Sequence, residues 1–138
     1  MKEYIIKPNL QDIISIDFPD ADFRVDEEML LYDEFISLLK NGEKTTTVRY
    51  SKGKIRIPGS RVMPLYETNP DDKDYKKLIE DVMVNRLIIK RYDELNEIDG
   101  RNDGFSGRDE LIVAIEGIYG RILPEELVSI YHISSVIK

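Results

Sequence analysis

Lys44, Thr45, Thr47 and Arg49 fall together in the stretch "NGEKTTTVRY" (41–50), with no acid after Glu43. These residue types can do chemistry on a carbonyl or hold a phosphate. A threonine hydroxyl is a weak nucleophile until a base takes its proton. Lysine becomes such a base when burial disfavours the ammonium and lowers its pKa. Arginine offers a planar fork for a phosphate or a polarised carbonyl. Geometry limits the set. Side chains alternate along a strand, so Thr45, Thr47 and Arg49 share one face while Lys44 and Thr47 point apart. Lys44 meets Thr47 only if it sits in the turn after Gly42, outside the ladder. The plainer alternative is an exposed strand carrying Lys and Arg against aggregation.

The basic character extends well beyond this stretch. From Lys44 to Tyr66 there are six cations (Lys44, Arg49, Lys52, Lys54, Arg56, Arg61) and no Asp or Glu. Lys54 and Arg61 therefore join Lys44, Thr45 and Arg49 as candidate phosphate-binding residues. The rest of the chain holds 14 cations against 27 acids, and the formal net charge is -7. An acidic body repels polyanions over roughly 8–10 Å at ordinary ionic strength. That disfavours tight binding of duplex DNA. It permits a nucleoside, a nucleotide or a short RNA at the basic strip.

Composition narrows the remaining classes. The 138 residues suffice for one domain with a real core. No cysteine is present, which excludes disulfides and thiolate metal sites. The acids of 17–28 and 68–74 lack the spacing of a calcium loop, so no metal or cofactor is expected. The start, "MKEYIIKPNLQD", lacks the apolar run of a secretory signal. No segment approaches the length of a membrane span. A cytoplasmic setting without a membrane partner is the expectation.

The elements that must position these residues follow from periodicity and punctuation. "EYIIKP" (3–8) reads as a strand, "NLQDIISI" as a helical turn, and 17–26 as an acidic loop. The pattern over 26–42 predicts the clearest helix. Leu31, Phe35 and Leu38 form its apolar stripe, Asp26 its N-cap and Gly42 its stop. Strands are expected at 44–50, around "IRI" (55–57) and at 61–67, where Pro64 marks an edge or a bulge. The polar stretch 68–81 reads as an exposed excursion with a helical turn at "YKKLI". A long strand follows at 82–92, with a bulge near Asn85–Arg86. A short helical or turn segment at 93–99 leads into a loop at 100–105. A helix then opens at Ser106, capped by the Ser106/Asp109 pair, with Leu111, Ile115 and Ile118 buried. A strand closes the chain within 123–138. Helices interrupt strands without βαβ alternation, which predicts an α+β fold: a small mixed sheet or β-barrel flanked by two main helices.

Gly42, Lys44, Thr45, Thr47 and Arg49, followed by "IPGSRVMPLYE" (57–67), "RYDEL" (91–95) and "DGFSGRDELIVAIEGIYG" (103–120), occur in the order seen in the ASCH domain family. The chain resembles that family over about residues 28 to 138. The resemblance implies a PUA-like β-barrel with a cleft between barrel and helix. It leaves 1–27 as an N-terminal extension packing on the 28–138 domain. The family is associated with RNA-linked roles, and some small bacterial members hydrolyse the acyl amide of N-acylated cytidine. Their Lys and Thr fall on Lys44 and Thr47. Their catalytic Glu falls on Asp103, a departure by one methylene. In that chemistry Lys44 would activate Thr47, and Asp103 would pass a proton to the leaving amine.

Three function classes stand at this point: an RNA- or nucleotide-binding domain, an amidohydrolase using Lys44, Thr47 and Asp103, and a non-catalytic protein-interaction module. Tyr50, Tyr66, Tyr92 and Tyr119 are either stacking platforms or packing. His132, the only histidine, reads as a rim residue, and "GRNDG" (100–104) lacks the setting of a phosphate loop.

Overall fold

Residues 26–42 fold as a strand end, a second strand and a short helix, not as one long helix. A computed structural model describes residues 1–135. In chain order it contains β1 (Lys2–Tyr4), α1 (Leu10–Asp17), β2 (Asp22–Asp26), β3 (Met29–Tyr32) and α2 (Asp33–Lys40). Then come β4 (Thr46–Arg49), β5 (Lys54–Pro58), β6 (Val62–Asn69) and β7 (Asp72–Arg91). A 3-10 turn (Tyr92–Glu94), α3 (Glu97–Asn102), α4 (Arg108–Tyr119) and β8 (Leu127–Ser135) complete it. The part of the expected last strand at 136–138 lies outside the described residues.

The helix expected over 26–42 starts late because its first residues serve a sheet better. Met29 and Leu31 are buried and Leu30 is exposed, the alternation of a strand and not the stripe of a helix. The segment pairs in parallel with β6 from Leu65 to Thr68. Helix α2 then begins at Asp33, where Asp33 and Glu34 suit the positive end of the dipole and Lys40 the far end. Asp26 is accordingly no N-cap. It lies in β2, a strand where a loop was expected, paired in parallel with β5.

The 68–81 excursion is no helical turn either. It is the far end of a hairpin between β6 and β7, turned through Asn69–Asp72. The Asn69 carboxamide oxygen accepts from the Asp71 N–H at 2.9 Å and fixes the turn. Its polarity goes with exposure, since most residues from Asn69 to Leu78 face solvent. The bulge expected at Asn85–Arg86 is present as a register shift between Val84 and Arg86. Strand β6 is flanked on both sides, so Pro64 does not mark an edge strand. It is tolerated because β3 pairs only from Leu65 onward, and a register shift follows between Leu65 and Tyr66. The Ser106/Asp109 cap is not formed. Gly107 takes the N-cap position of α4, and the Ser106 N–H donates to Glu110 instead. Ile118 is exposed, not buried.

The sheet runs β3-β6-β7-β8-β4, with β1 added to β7, while β2 and β5 form a separate two-stranded ladder. Among the described residues no ladder joins β3 to β4, so the sheet stays open where a closed barrel was expected. Its two faces bury different cores. Tyr131 and Ile133 face a core shared with β1, α1, α2, β3, β5 and β6. Val128 and Ile130 face the opposite way, against Leu111 and Ile115 of α4. Tyr4, Leu10 and Ile14 belong to the first core, so residues before 28 pack with those after it.

The β2–β5 ladder is tied to the sheet by a buried polar cluster. Arg56 Nη2 and Nε donate to Asp26 at 2.6 and 3.1 Å, and the Tyr131 hydroxyl donates to Asp26 Oδ2 at 2.6 Å. Burial, followed by the adjacent Asp26 carboxylate, holds the Tyr131 phenol well above its ordinary pKa. Removing one partner strands the other in a poorly solvated place. Asp26→Ala is expected to lose about 3–5 kcal/mol of stability, the usual cost of orphaning a buried charge. Urea unfolding measures this directly. A loss under about 1 kcal/mol would mean that Arg56 finds another acceptor.

Candidate functional site

The unpaired gap between β3 and β4 opens onto a cavity of about 310 Å³. That volume sits at the small end of the range for organic ligands. Leu30, Leu31 and Tyr32 of β3 line one side, and Thr47, Val48 and Arg49 of β4 the other. Phe35 of α2, Phe105 and the α4 residues Ala114, Ile115, Ile118 and Tyr119 form apolar walls. Arg24 and Arg56 arrive from the β2–β5 ladder. Arg49 spans the gap itself. Its Nη2 donates to the Leu30 carbonyl at 2.9 Å and contacts the Met29 sulfur at 3.1 Å. A side chain thus takes the place of the missing strand–strand bonds at this point.

Lys44 sits where the sequence argument required, outside the ladder. Strand β4 begins only at Thr46, and Gly42 at φ +86° supplies the left-handed turn after α2. The Lys44 N–H donates back to the Leu38 carbonyl at 3.0 Å, which fixes the turn. Lys44 Nζ then reaches Asp103, donating to Oδ1 at 2.6 Å and to the backbone oxygen at 3.3 Å. Asp103 follows α3, and its Oδ1 also accepts from the Thr46 hydroxyl at 3.4 Å. The approach of the two segments is tight. A Cβ on Gly104, which has φ +96°, would stand 2.9 Å from Leu38 Cδ1 and 3.5 Å from Lys44 Cβ.

Lys44 is 3% exposed and Asp103 6%, and that burial sets their chemistry. Burial pushes the Lys44 amine below its ordinary pKa; the Asp103 carboxylate opposes this, and Arg49 adds to it. Burial pushes the Asp103 carboxyl up, against the opposing pull of Lys44. Each group is driven toward its neutral form, as in a pair that can pass a proton. The Phe35 ring lies 5.5 Å from Lys44 Nζ and keeps that side apolar.

Thr47 is buried against Tyr131 of β8 and lines the same cavity as Lys44 and Asp103. Among the described residues nothing bonds its hydroxyl, and nothing bonds Asp103 Oδ2. Both are open to a ligand. Lys44, Thr47, Arg49 and Asp103 thus converge on one cavity. The other sequence candidates do not join them. Thr45 is spent on the Asn102 carbonyl, bonded from its backbone at 2.7 Å. Lys54 lines a different hollow with Asp20, Asp22 and Glu126. Arg61 is exposed and lines neither hollow. The fold therefore splits the basic strip: Lys44, Arg49 and Arg56 line the cavity, and Lys54 and Arg61 do not.

Sequence reasoning missed Arg24, Arg56, Tyr32, Phe35 and Phe105 as wall residues. The alternation of Phe23 and Val25 with Arg24 and Asp26 was the available signal that 22–26 is a strand with a polar face. Of the four tyrosines considered, Tyr119 alone lines the cavity. Tyr50 and Tyr92 are buried and donate to Glu126 and Glu116, and Tyr66 lies under Lys76. Burial of Tyr50, with its bond to Glu126, pushes its phenol up to about 12. His132 is half-buried on β8, and burial followed by Arg86 lowers its pKa. Among the described residues no cluster of three or more His, Cys, Asp or Glu could hold a metal ion. No helix among them is long and apolar enough to cross a membrane.

No protein-family model matches the chain, and no curated protein matches it. Among solved structures it is similar to an ASCH domain from Lactobacillus crispatus JV V101. The TM-score is 0.59 at 15% sequence identity, over 92% of this chain and 91% of that one. At that identity the likeness concerns the fold and not the ligand. With its open mixed sheet, α4 across one face and the basic stretch at the cavity, the chain has an ASCH-like fold.

Proposed function

We propose that the protein binds one nucleoside or nucleotide unit, free or displayed by single-stranded RNA, in the cavity between β3, β4 and α4. The observation that carries this reading is the lining itself. It combines aromatic rings (Tyr32, Phe35, Phe105, Tyr119) and cations (Arg24, Arg49) with the Lys44–Asp103 pair and an unbonded Thr47 hydroxyl. Aromatic rings stack a base whatever its identity, and polar groups at one end fix its orientation. Tyr32 stacks near Phe35 with centroids 6.2 Å apart, and Phe35 meets Phe105 edge-on at 5.8 Å. Both contacts hold the wall in place. A long duplex is too wide for this volume and too highly charged for an acidic chain.

Titration with short single-stranded RNA at two salt concentrations tests the reading. Affinity is expected to fall with salt. Arg49→Ala is expected to weaken binding, and Tyr32→Ala to cost about 1–3 kcal/mol, the worth of one stacked base. Absence of binding by RNA and by every nucleoside or nucleotide at low salt would sink the proposal.

A second reading, amide hydrolysis on N-acylated cytidine, is supported by the unbonded Thr47 hydroxyl, which lines the same cavity as a lysine whose pKa is lowered by burial. Here Thr47 Oγ1 attacks the acyl carbon and its proton passes to Lys44 Nζ. The C–N bond breaks as that proton passes on through the Asp103 carboxylate to the leaving amine. Water then cleaves the acyl-threonine ester: its hydroxyl joins the acyl carbon, one proton passes through the pair to Thr47 Oγ1, and the carboxylic acid leaves. The shorter Asp103 side chain is accommodated because Lys44 Nζ approaches to 2.6 Å.

Incubation with N4-acetylcytidine, followed by chromatography, is expected to release cytidine, and Thr47→Val or Lys44→Ala to abolish release. The rate should rise with pH through the lowered Lys44 pKa, since only the neutral amine accepts the Thr47 proton. Asp103→Asn removes the charge that holds that pKa up, so the midpoint of the residual rate should move to lower pH. No turnover of any acylated nucleoside rules this chemistry out and leaves the binding reading in place.

A further inference from the structure

We propose that the cavity takes a nucleotide in preference to a nucleoside, with Arg24 of β2 holding its phosphate; this rests on the nucleoside-binding reading of the same cavity. Arg24 and Arg56 are register partners between β2 and β5. Register partners leave the sheet on the same face, from strands about 4.8 Å apart. Two guanidinium groups in that relation repel each other.

Their surroundings differ. Arg56 is buried, its charge met by both oxygens of Asp26 and its Nη1 bonded to the Tyr50 carbonyl at 3.2 Å. Arg24 is exposed, lines the cavity, and has no hydrogen bond or ion pair among the described residues. Asp26 accepts from Arg56 and Tyr131 and makes no bond to Arg24. Arg49, from the facing wall, is bonded only to neutral groups, the Leu30 carbonyl and the Met29 sulfur.

The cavity is thus lined by two guanidinium groups without a carboxylate partner, in a chain of formal net charge -7. A phosphate offers both of them acceptor oxygens in the planar geometry an arginine fork prefers. A neutral nucleoside leaves both charges unmet. The adjoining hollow beside Tyr32 and Thr68 carries Asp33, Glu34 and Glu67, which repel an anion. The phosphate is therefore directed to the Arg24 side and the base toward the aromatic wall. It is either the 5′-phosphate of a free nucleotide or a backbone phosphate of single-stranded RNA.

Calorimetric titration of the full chain with the four ribonucleosides, their 5′-monophosphates and a short single-stranded RNA tests this at fixed ionic strength. At least one phosphorylated probe is expected to bind about tenfold or more tightly than its nucleoside, the scale of a charge-assisted hydrogen bond. Gain by the monophosphates alone identifies a free nucleotide, and gain by the RNA alone a backbone phosphate. In Arg24→Ala the preference should fall below about threefold, with urea unfolding showing that the variant is folded. Lys7→Ala, which removes an exposed cation outside the cavity lining, should keep the preference. Equal affinity for nucleoside and nucleotide, or equal loss in both variants, overturns the assignment of Arg24 and leaves nucleoside binding standing. Binding by none of the probes overturns both.

Discussion

A lysine amine and an aspartate carboxyl, 2.6 Å apart and nearly sealed from water, hold the functional side of this molecule together. Lys44 belongs to the turn leading into β4, and Asp103 to the end of α3. No ladder or helix joins those segments, so their relative position rests on this pair, on the Thr45–Asn102 backbone bond and on close packing at Gly104. Taking two charges from water costs several kcal/mol for each ion. The pair offsets that cost by mutual attraction, by the Thr46 hydroxyl and by the Asp103 carbonyl. The remaining strain toward neutrality lowers the lysine and raises the acid. Burial thus does two things at this pair: it makes the contact a strong tie between the two segments, and it disfavours the charged form of each partner.

The open sheet is the second constraint. Had β3 paired with β4, ladder hydrogen bonds would fill the space where the cavity lies. Instead Arg49 bridges the gap with a side-chain bond to Leu30, and the β2–β5 ladder supplies Arg24 and Arg56 to the cavity lining. The Asp26–Arg56–Tyr131 cluster anchors that ladder to β8. An incomplete closure thus leaves room for a ligand, and a polar cluster keeps the incomplete part from drifting. Arg24, which lies outside the span of the family resemblance, lines the cavity with Lys44, Thr47, Val48 and Arg49.

Local signals were readable where one force dominated. The Gly42 turn, the β-branched run at 46–49, the bulge near Asn85 and the apolar stripe of α4 through Leu111 and Ile115 follow from backbone freedom, propensity and burial of a face. Misreadings arose where tertiary pairing outweighed local preference. "DEEMLL" has the composition of a helix start, yet pairing with β6 draws Met29–Tyr32 into a strand. The polar 68–81 stretch looked like an excursion because a hairpin exposed on its sides has no apolar face to display. Asp26 resembled a helix cap, since an Asp before an apolar run is ambiguous until its partner is known. That partner is Arg56, 30 positions away.

The sequence by itself determined the chemical inventory: Lys44, Thr47 and Arg49 in one strand approach, Asp103 before a glycine, no thiol, and an acidic chain with one basic run. It also determined the condition for chemistry, that Lys44 must leave the ladder to share a space with Thr47, because alternation along a strand is fixed by backbone geometry. Only the tertiary structure decided which cations face the cavity. Lys54 and Arg61, close to Arg49 in sequence, are carried elsewhere, while Arg24 is brought in by parallel pairing with β5. The physical reason is that sheet register and core packing are set by contacts between residues distant in the chain. Charge that is contiguous in sequence is therefore divided in space: Lys44, Arg49 and Arg56 reach the cavity, Lys54 and Arg61 do not, and Arg24 joins from outside the run.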